Sequence, residues 1–360
     1  MPESPPTSTF SSKTCDITCI SYEELTSGTA HQLCTKLQQG FGTGGLGIVT
    51  ISDVPGLSQL RARLLPMAAQ LASLPEAVLT GLEDPDSNHN FGWARGKEAL
   101  EDGRPDLNKG SFYANPTVDR HTEDKHLLSM YPGFCRPNIW PANDLPELRE
   151  AFRELGLLII HVGCLLADHC GRMVAEHFPG TSADRLHNSI ASSPCSKGRL
   201  LHYYPSHATS VAEASWCGWH TDVSSLTGLT SAMYLQNGQE VQNSDPAAGL
   251  YIRSSSGEVV KACIPHDHLA FQMGEAMQVH SGGFFKATPH CVRGAGGKES
   301  SGMSRNTFAV FIQPRWDEQM DIPPAAISAN INVAHWTPNV TFGEFSEHKF
   351  QQYSQISVRG

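Results

Sequence analysis

From about residue 195 the chain breaks into short runs rich in β-branched and aromatic residues: RLLHYYP, TGLTSAMYL, GLYIR, EVVKACI, LAFQMG, MQVHS and NTFAVFIQP. Turn residues separate them at Asn237–Gly238, Ser256–Gly257 and Gly282–Gly283. Many short strands with turn signals between them point to a sandwich or barrel, the closed forms in which both apolar faces find cover.

The chain before residue 195 has a different texture. GLGIVTIS (45–52) is Gly-flanked and β-branched and reads as a strand. Asp53, Pro55 and Gly56 then turn the chain into LSQLRARLLPMAAQLASL, apolar at helical spacing around Pro66. Residues 84–125, rich in Asp, Asn, Gly and Pro, read as a long surface excursion. Leu145 to His177 repeats its apolar positions at three and four and reads as a long helix or helical pair. Nothing like a flexible linker divides the halves, so one integrated α+β domain is expected. Its parts are a flexible lead (1–20), a helical and mixed region packing on the core (21–195), a β-core (196–320) and a C-terminal extension (321–360).

A chain of 360 residues, 39% hydrophobic, can bury a full core without staples. Thirty-six acids against 26 bases leave a formal charge of −10, which argues against a nucleic-acid partner. The start, MPESPPTSTFSSKT, lacks the basic and apolar regions of a secretory signal. LGLLIIHVGCLLA (155–167) is too short to span a bilayer and reads as a buried helix. No membrane partner and a cytoplasmic location are therefore expected. The ten cysteines, several in apolar segments such as Cys164, Cys170 and Cys263, read as reduced thiols. Cys15 and Cys19 form a CxxxC, a weak zinc signal.

Histidine is abundant, at 17 residues. The informative one is in His220-Thr221-Asp222. Residues two apart in extended chain point to one face, so an imidazole and a carboxylate converge there. A second histidine from a neighbouring strand would complete the two-His, one-carboxylate face of non-haem Fe(II) oxygenases, which leaves coordination positions open. A structural zinc would prefer a closed four-ligand shell. Downstream candidates are His266, His268, His280 and His290. His266 and His268 lie in IPHDHLA, a Pro-containing turn, and are expected at the surface. Further on, Arg305 and Thr307 share a face of RNTFAVFIQP, and a guanidinium beside a hydroxyl suits a carboxylate.

Several of these stretches, in the same order, resemble 2-oxoglutarate/Fe(II)-dependent dioxygenases of the isopenicillin N synthase-like group. HTDVSSLTGL resembles that family's HTDxxxLTxL, and FQMGEAMQVHSGGFFKATPH its GDxLQxxSNGxYKSxxH, which ends in the distal histidine. RNTFAVFIQP resembles the RxS segment and RLLHYYP the NxYP segment, while GIVTISDVP, SFYANP and RPNIWP match the N-terminal half. The resemblance covers about residues 45–315 and implies a double-stranded β-helix (jelly-roll) core with N-terminal helical wrapping. It implies His220, Asp222 and His290 as ligands of Fe(II), with Arg305, Thr307 and Tyr204 on the co-substrate 2-oxoglutarate. Ascorbate is an optional addition. The implied partners are a small organic substrate and dioxygen, the implied products succinate and carbon dioxide, and the expected state a monomer. Departures are His202 for the Asn of NxYP, Thr307 for Ser, Cys291 after the distal histidine and Glu275 for Asp. Other readings are an Fe(II) oxidase of the same fold that does not use 2-oxoglutarate, a non-catalytic binding protein on a degenerate scaffold, and a cupin-type zinc protein.

Overall fold

A computed structural model describes residues 14–28, 30–98, 104–205, 215–294, 302–328, 333 and 336–349. The Cys15 side chain and most of the GAGGKESSG segment lie outside the described residues, so the CxxxC is not placed. The strands of the first half are β1 (Thr14–Cys15), β2 (Thr18–Ser21), β3 (Ile48–Ser52), β4 (Gly92–Arg95), β5 (Lys109–Ala114) and β6 (Lys197–Tyr203). Next come β7 (Ser215–His220), β8 (Leu226–Thr230), β9 (Met233–Gln236), β10 (Gln239–Val241) and β11 (Gly249–Arg253). The last four are β12 (Val259–Ala262), β13 (Leu269–Met273), β14 (His290–Arg293) and β15 (Ser304–Ile312).

They form two sheets. The smaller has the order β1-β12-β11-β14-β7, the larger β2-β3-β13-β8-β15-β6-β5-β4, with the β9–β10 hairpin attached through β9 to β15. Pairing is antiparallel except for β1 with β12 and β2 with β3. Asn237 and Gly238, both at positive φ (52° and 78°), make the tight turn of the hairpin, as their sequence signal requires.

The expected β-runs become strands, with one exception. MQVHS lies in a helix, Glu275–His280, because the Glu275 N–H donates to Asp222 O (2.8 Å) and Ala276 N–H to Ser224 O (3.2 Å). A short apolar run suits a buried helical turn as well as a strand, and periodicity cannot separate the two. The stretch 84–125 is no surface excursion. It contributes β4 and β5, and β5 pairs along its whole length with β6. The lead was expected to be flexible to residue 20, yet β1 and β2 add strands to both sheets.

Two helices cover the outer face of the larger sheet. Leu148–His177, a single helix of 30 residues, packs on β8 and β15, and Leu155, Ile159, Val162 and Leu166 are among its buried residues. Its length and composition would allow it to cross a membrane, but half of its most apolar window is buried inside the protein. A Cβ on Gly163 would come within 2.3 Å of Ile312 Cδ1, so glycine is what permits this approach to β15. The helix Leu57–Ala72 continues through Pro66 and packs on β6 and β15. Its Arg61, 1% exposed, donates to the carbonyls of Ser231 (3.2 Å) and Ala232 (3.0 Å) and pairs with Glu240 (3.1 Å). The nine cysteines among the described residues whose side chains are placed are free thiols.

Candidate metal centre and cavity

β7 ends at His220 and β14 begins at His290, and the two residues face each other across the ladder. Their ring centroids are 4.3 Å apart. Asp222 lies just past the end of β7, not within it as a strict strand alternation would have it, but its carboxylate still turns back to the pair. Asp222 Oδ1 is 3.8 Å from Nε2 of both histidines. One ligand atom from each residue falls within 4.8 Å of the others, and Asp222 Oδ2, buried, has no hydrogen-bond partner among the described residues.

The histidines are set up through their other nitrogens. His220 Nδ1 lies 2.8 Å from Gly218 O and His290 Nδ1 lies 3.4 Å from Thr288 O. A ring that donates Nδ1–H to a carbonyl keeps its lone pair on Nε2, the nitrogen facing Asp222. Burial and the neighbouring His220 hold His290 down at about 4, so it is neutral at neutral pH. Burial also lowers His220, but the Cys217 thiol and the Asp222 carboxylate outweigh it and hold this imidazole at about 9. Two imidazoles and one buried carboxylate with an unused oxygen suit Fe(II) with open positions.

The triad opens on a cavity of about 330 Å³ between the sheets. Arg305 and Thr307, alternate residues of β15, both line it and are 7% and 6% exposed. The tyrosine on this wall is Tyr203, not Tyr204. On β6, Arg199, Leu201 and Tyr203 face the cavity, and Tyr203 pairs in register with Arg305, whose guanidinium lies 4.9 Å from its ring. Tyr204 points away: Arg95 stacks on its ring at 4.0 Å, and its hydroxyl reaches the Ala72 carbonyl at 3.5 Å. His202 stands on that outer side too, 2.7 Å from Asn306 Oδ1. The departure from the NxYP pattern at His202 therefore falls outside the cavity.

A charged cluster at the cavity wall was not anticipated. Glu98 accepts from Arg199 and pairs with Lys109 (2.9 Å), which also pairs with Asp106 (3.0 Å). Against the burial that raises it, Arg199 and Lys109 hold the Glu98 carboxyl down at about 2. Lys109 and Arg199 sit on matching positions of β5 and β6, so strand parity was the available signal; for Lys109 it was lost once 84–125 was read as loop.

The remaining histidine candidates lie elsewhere. His266 is exposed, 2.8 Å from Arg61, and His268 is half-buried beside Cys19. His280 is buried, with Nε2 3.3 Å from Gln319 O, and burial holds it at about 3. Glu275 reinforces the metal loop: it accepts from Thr221 Oγ1 at 2.6 Å and pairs with Lys349.

No family model and no curated protein matches the chain. Solved structures do. A Caulobacter crescentus protein assigned to the 2OG-Fe(II) oxygenase family aligns at 16% identity and TM-score 0.73, over 94% of this chain and 99% of that one. Full-length Neurospora crassa T7H, in complex with alpha-KG and thymine, aligns at 17% identity and TM-score 0.70, over 94% and 97%. The rice dioxygenase for auxin oxidation aligns at 14% identity and TM-score 0.62, over 94% and 96%. At these identities the likeness establishes a shared fold.

Proposed function

We propose that this chain, which has the fold of 2-oxoglutarate/Fe(II) oxygenases, is a dioxygenase of that kind acting on a small organic molecule. The observation that carries this reading is the convergence of His220, Asp222 and His290 at one end of a cavity that also presents Arg305 and Thr307. The two facing sheets are read as a double-stranded β-helix, with the helices Leu57–Ala72 and Leu148–His177 as its wrapping. JOX2, a neighbour of the same fold, was solved with 2OG, Fe and JA, so this architecture holds such a set elsewhere.

In this reading the Nε2 atoms of His220 and His290 and the Asp222 carboxylate hold Fe(II). Arg305 receives the distal carboxylate of 2-oxoglutarate, with the Thr307 hydroxyl beside it. Bound there, the pair supplies oxidative decarboxylation to succinate and carbon dioxide, coupled to hydroxylation or desaturation of a C–H substrate. The chain's own contribution is placement and shielding. Tyr203 stacks against Arg305 and fixes its direction, while Leu229, Leu250 and Val292 give the cavity an apolar lining.

The test is substrate-dependent succinate release from a metabolite extract by the Fe(II)-loaded protein, with His220→Ala as the blank. Oxygen uptake that ignores 2-oxoglutarate, or calorimetry showing no 2-oxoglutarate binding, would overturn the reading.

A further inference from the structure

We propose, on the reading of the cavity given above, that Tyr234 is a further 2-oxoglutarate-binding residue, its hydroxyl donating to the same distal carboxylate that Arg305 receives. Three side chains stand in one row across the larger sheet. On β15, Arg305 pairs in register with Tyr203 of β6 on one side and with Tyr234 of β9 on the other. All three line the cavity. Directly opposite residues of a ladder share a face and hold their Cβ atoms about 5 Å apart. Tyrosine and arginine side chains extend to nearly equal depth, so the Tyr234 hydroxyl comes level with the guanidinium. The Tyr203 ring already lies against Arg305, at 4.9 Å. Tyr234 is half-buried, and nothing among the described residues bonds its hydroxyl.

This tyrosine stands beside Arg305 because of one extra residue. β8 and β9 pair with β15 in succession. From Leu229 opposite Ala309 to Met233 opposite Asn306, their chain advances four residues while β15 advances three. The surplus is a β-bulge, which bends the strand and re-aims the side chains after it. Unbroken pairing would set Met233, which has no side-chain donor, against Arg305. With the bulge Tyr234 takes that place, and Met233 and Leu235 turn to the apolar core, 3% and 8% exposed.

The bulge is anchored from three directions. The buried Arg61 guanidinium donates to the Ser231 and Ala232 carbonyls. Ser231 Oγ donates to His266 O at 2.8 Å, and the Phe308 N–H of β15 donates to Thr230 Oγ1 at 3.2 Å. A side chain launched from so firmly held a backbone gives up little freedom when it binds. The chemistry of the neighbouring groups selects the ligand. An arginine fork gives one N–H donor to each oxygen of a carboxylate, and each oxygen has a lone pair left. Thr307, two residues from Arg305 on the same face, serves one of them. Tyr234, from the neighbouring strand, serves the other with its O–H.

The experiment is calorimetry of 2-oxoglutarate binding to the full chain loaded with Mn(II), for the wild type, Tyr234→Phe, Arg305→Gln and the double variant. Phenylalanine keeps the ring and its packing and removes only the hydroxyl. Tyr234→Phe should weaken 2-oxoglutarate about tenfold, the scale of one hydrogen bond to a charged group, with Mn(II) content unchanged. Without Arg305 the carboxylate is no longer held where the hydroxyl meets it, so the two losses should not multiply. The double variant should bind within about threefold of Arg305→Gln alone. Tyr234→Phe binding as tightly as the wild type would overturn the proposal. So would losses that multiply in full, which would place the hydroxyl's action away from that carboxylate. A fall in Mn(II) content in Tyr234→Phe would overturn it too, by making the role structural. If the wild type itself fails to bind 2-oxoglutarate, the underlying reading falls. If it binds and Tyr234→Phe is silent, only this inference falls.

Discussion

Lys349 Nζ lies 2.8 Å from Glu275 Oε2, and both side chains are buried, 6% and 9% exposed. The other Glu275 oxygen holds the hydroxyl of Thr221, the residue between two of the candidate ligands. The C-terminal segment is thereby tied to the metal loop.

Removing Lys349 alone should be expensive. Lys349→Met leaves the Glu275 carboxylate buried without a counter-charge, an arrangement that typically costs about 3–5 kcal/mol. The double variant Lys349→Met/Glu275→Gln should recover part of that loss. Urea denaturation measures both, and an unchanged midpoint in Lys349→Met would show that the pair contributes nothing.

Asp222→Ala should abolish metal binding without unfolding the chain. The wild type is expected to retain about one Fe(II) or Mn(II) per chain, as a three-ligand face does, and the variant none. Metal analysis after gel filtration decides this, with circular dichroism confirming the fold. Full retention by the variant would remove Asp222 from the site.

Arg305→Gln should weaken 2-oxoglutarate binding by about ten- to a hundredfold, the range for losing a charge-assisted hydrogen bond. Metal content should not change. Tyr204→Phe should leave 2-oxoglutarate affinity where it was, because that ring packs against Arg95 on the far side of the sheet. Calorimetry on the Mn(II)-loaded protein separates the two, and a large loss in Tyr204→Phe would contradict the placement of Tyr203 on the cavity wall.

Lys197 gives a pH signature far from the site. Burial lowers its ammonium group from 10.5 to about 7, with the Cys195 and Cys135 thiols opposing the shift. Between about pH 7 and 10 the folded chain has released a proton that the unfolded chain still binds. Stability from this group therefore rises with pH across that window, by up to about 1.4 kcal/mol per unit, and is flat below it. Subtracting the Lys197→Met stability curve from that of the wild type isolates the slope. A flat difference from pH 7 to 10 would show that Lys197 is not buried as described.

The pairing of His220 with Asp222 was legible because two-residue spacing is a local rule. The choice of His290 was not legible from spacing or strand periodicity. It depends on β14 lying beside β7, a long-range register that only motif resemblance anticipated. Tyr203 and Tyr204 differ by one residue of strand parity. The sequence offers apolar or aromatic side chains on both sides of RLLHYY, because β6 is covered by the cavity on one face and a helix on the other. β4 and β5 were missed for a related reason. Their segment is bracketed by Gly, Asn and Pro, and their strand character comes from pairing, β5 with β6 and β4 with β5, not from their own periodicity. Glu98 and Lys109 were hidden with them.

The position of β7 has a mechanical consequence. Among the described residues it is one of the two edge strands of the smaller sheet, and its ladder runs to β14 alone, with register shifts along the way. An ion gripped by His220 and His290 would act as a rivet through that seam, joining a margin that backbone bonding alone secures weakly. Stripping the ion should then loosen β7 before the inner strands of the sheet. Hydrogen exchange would record it as faster loss of protection across residues 217–220 than across β11 or β12.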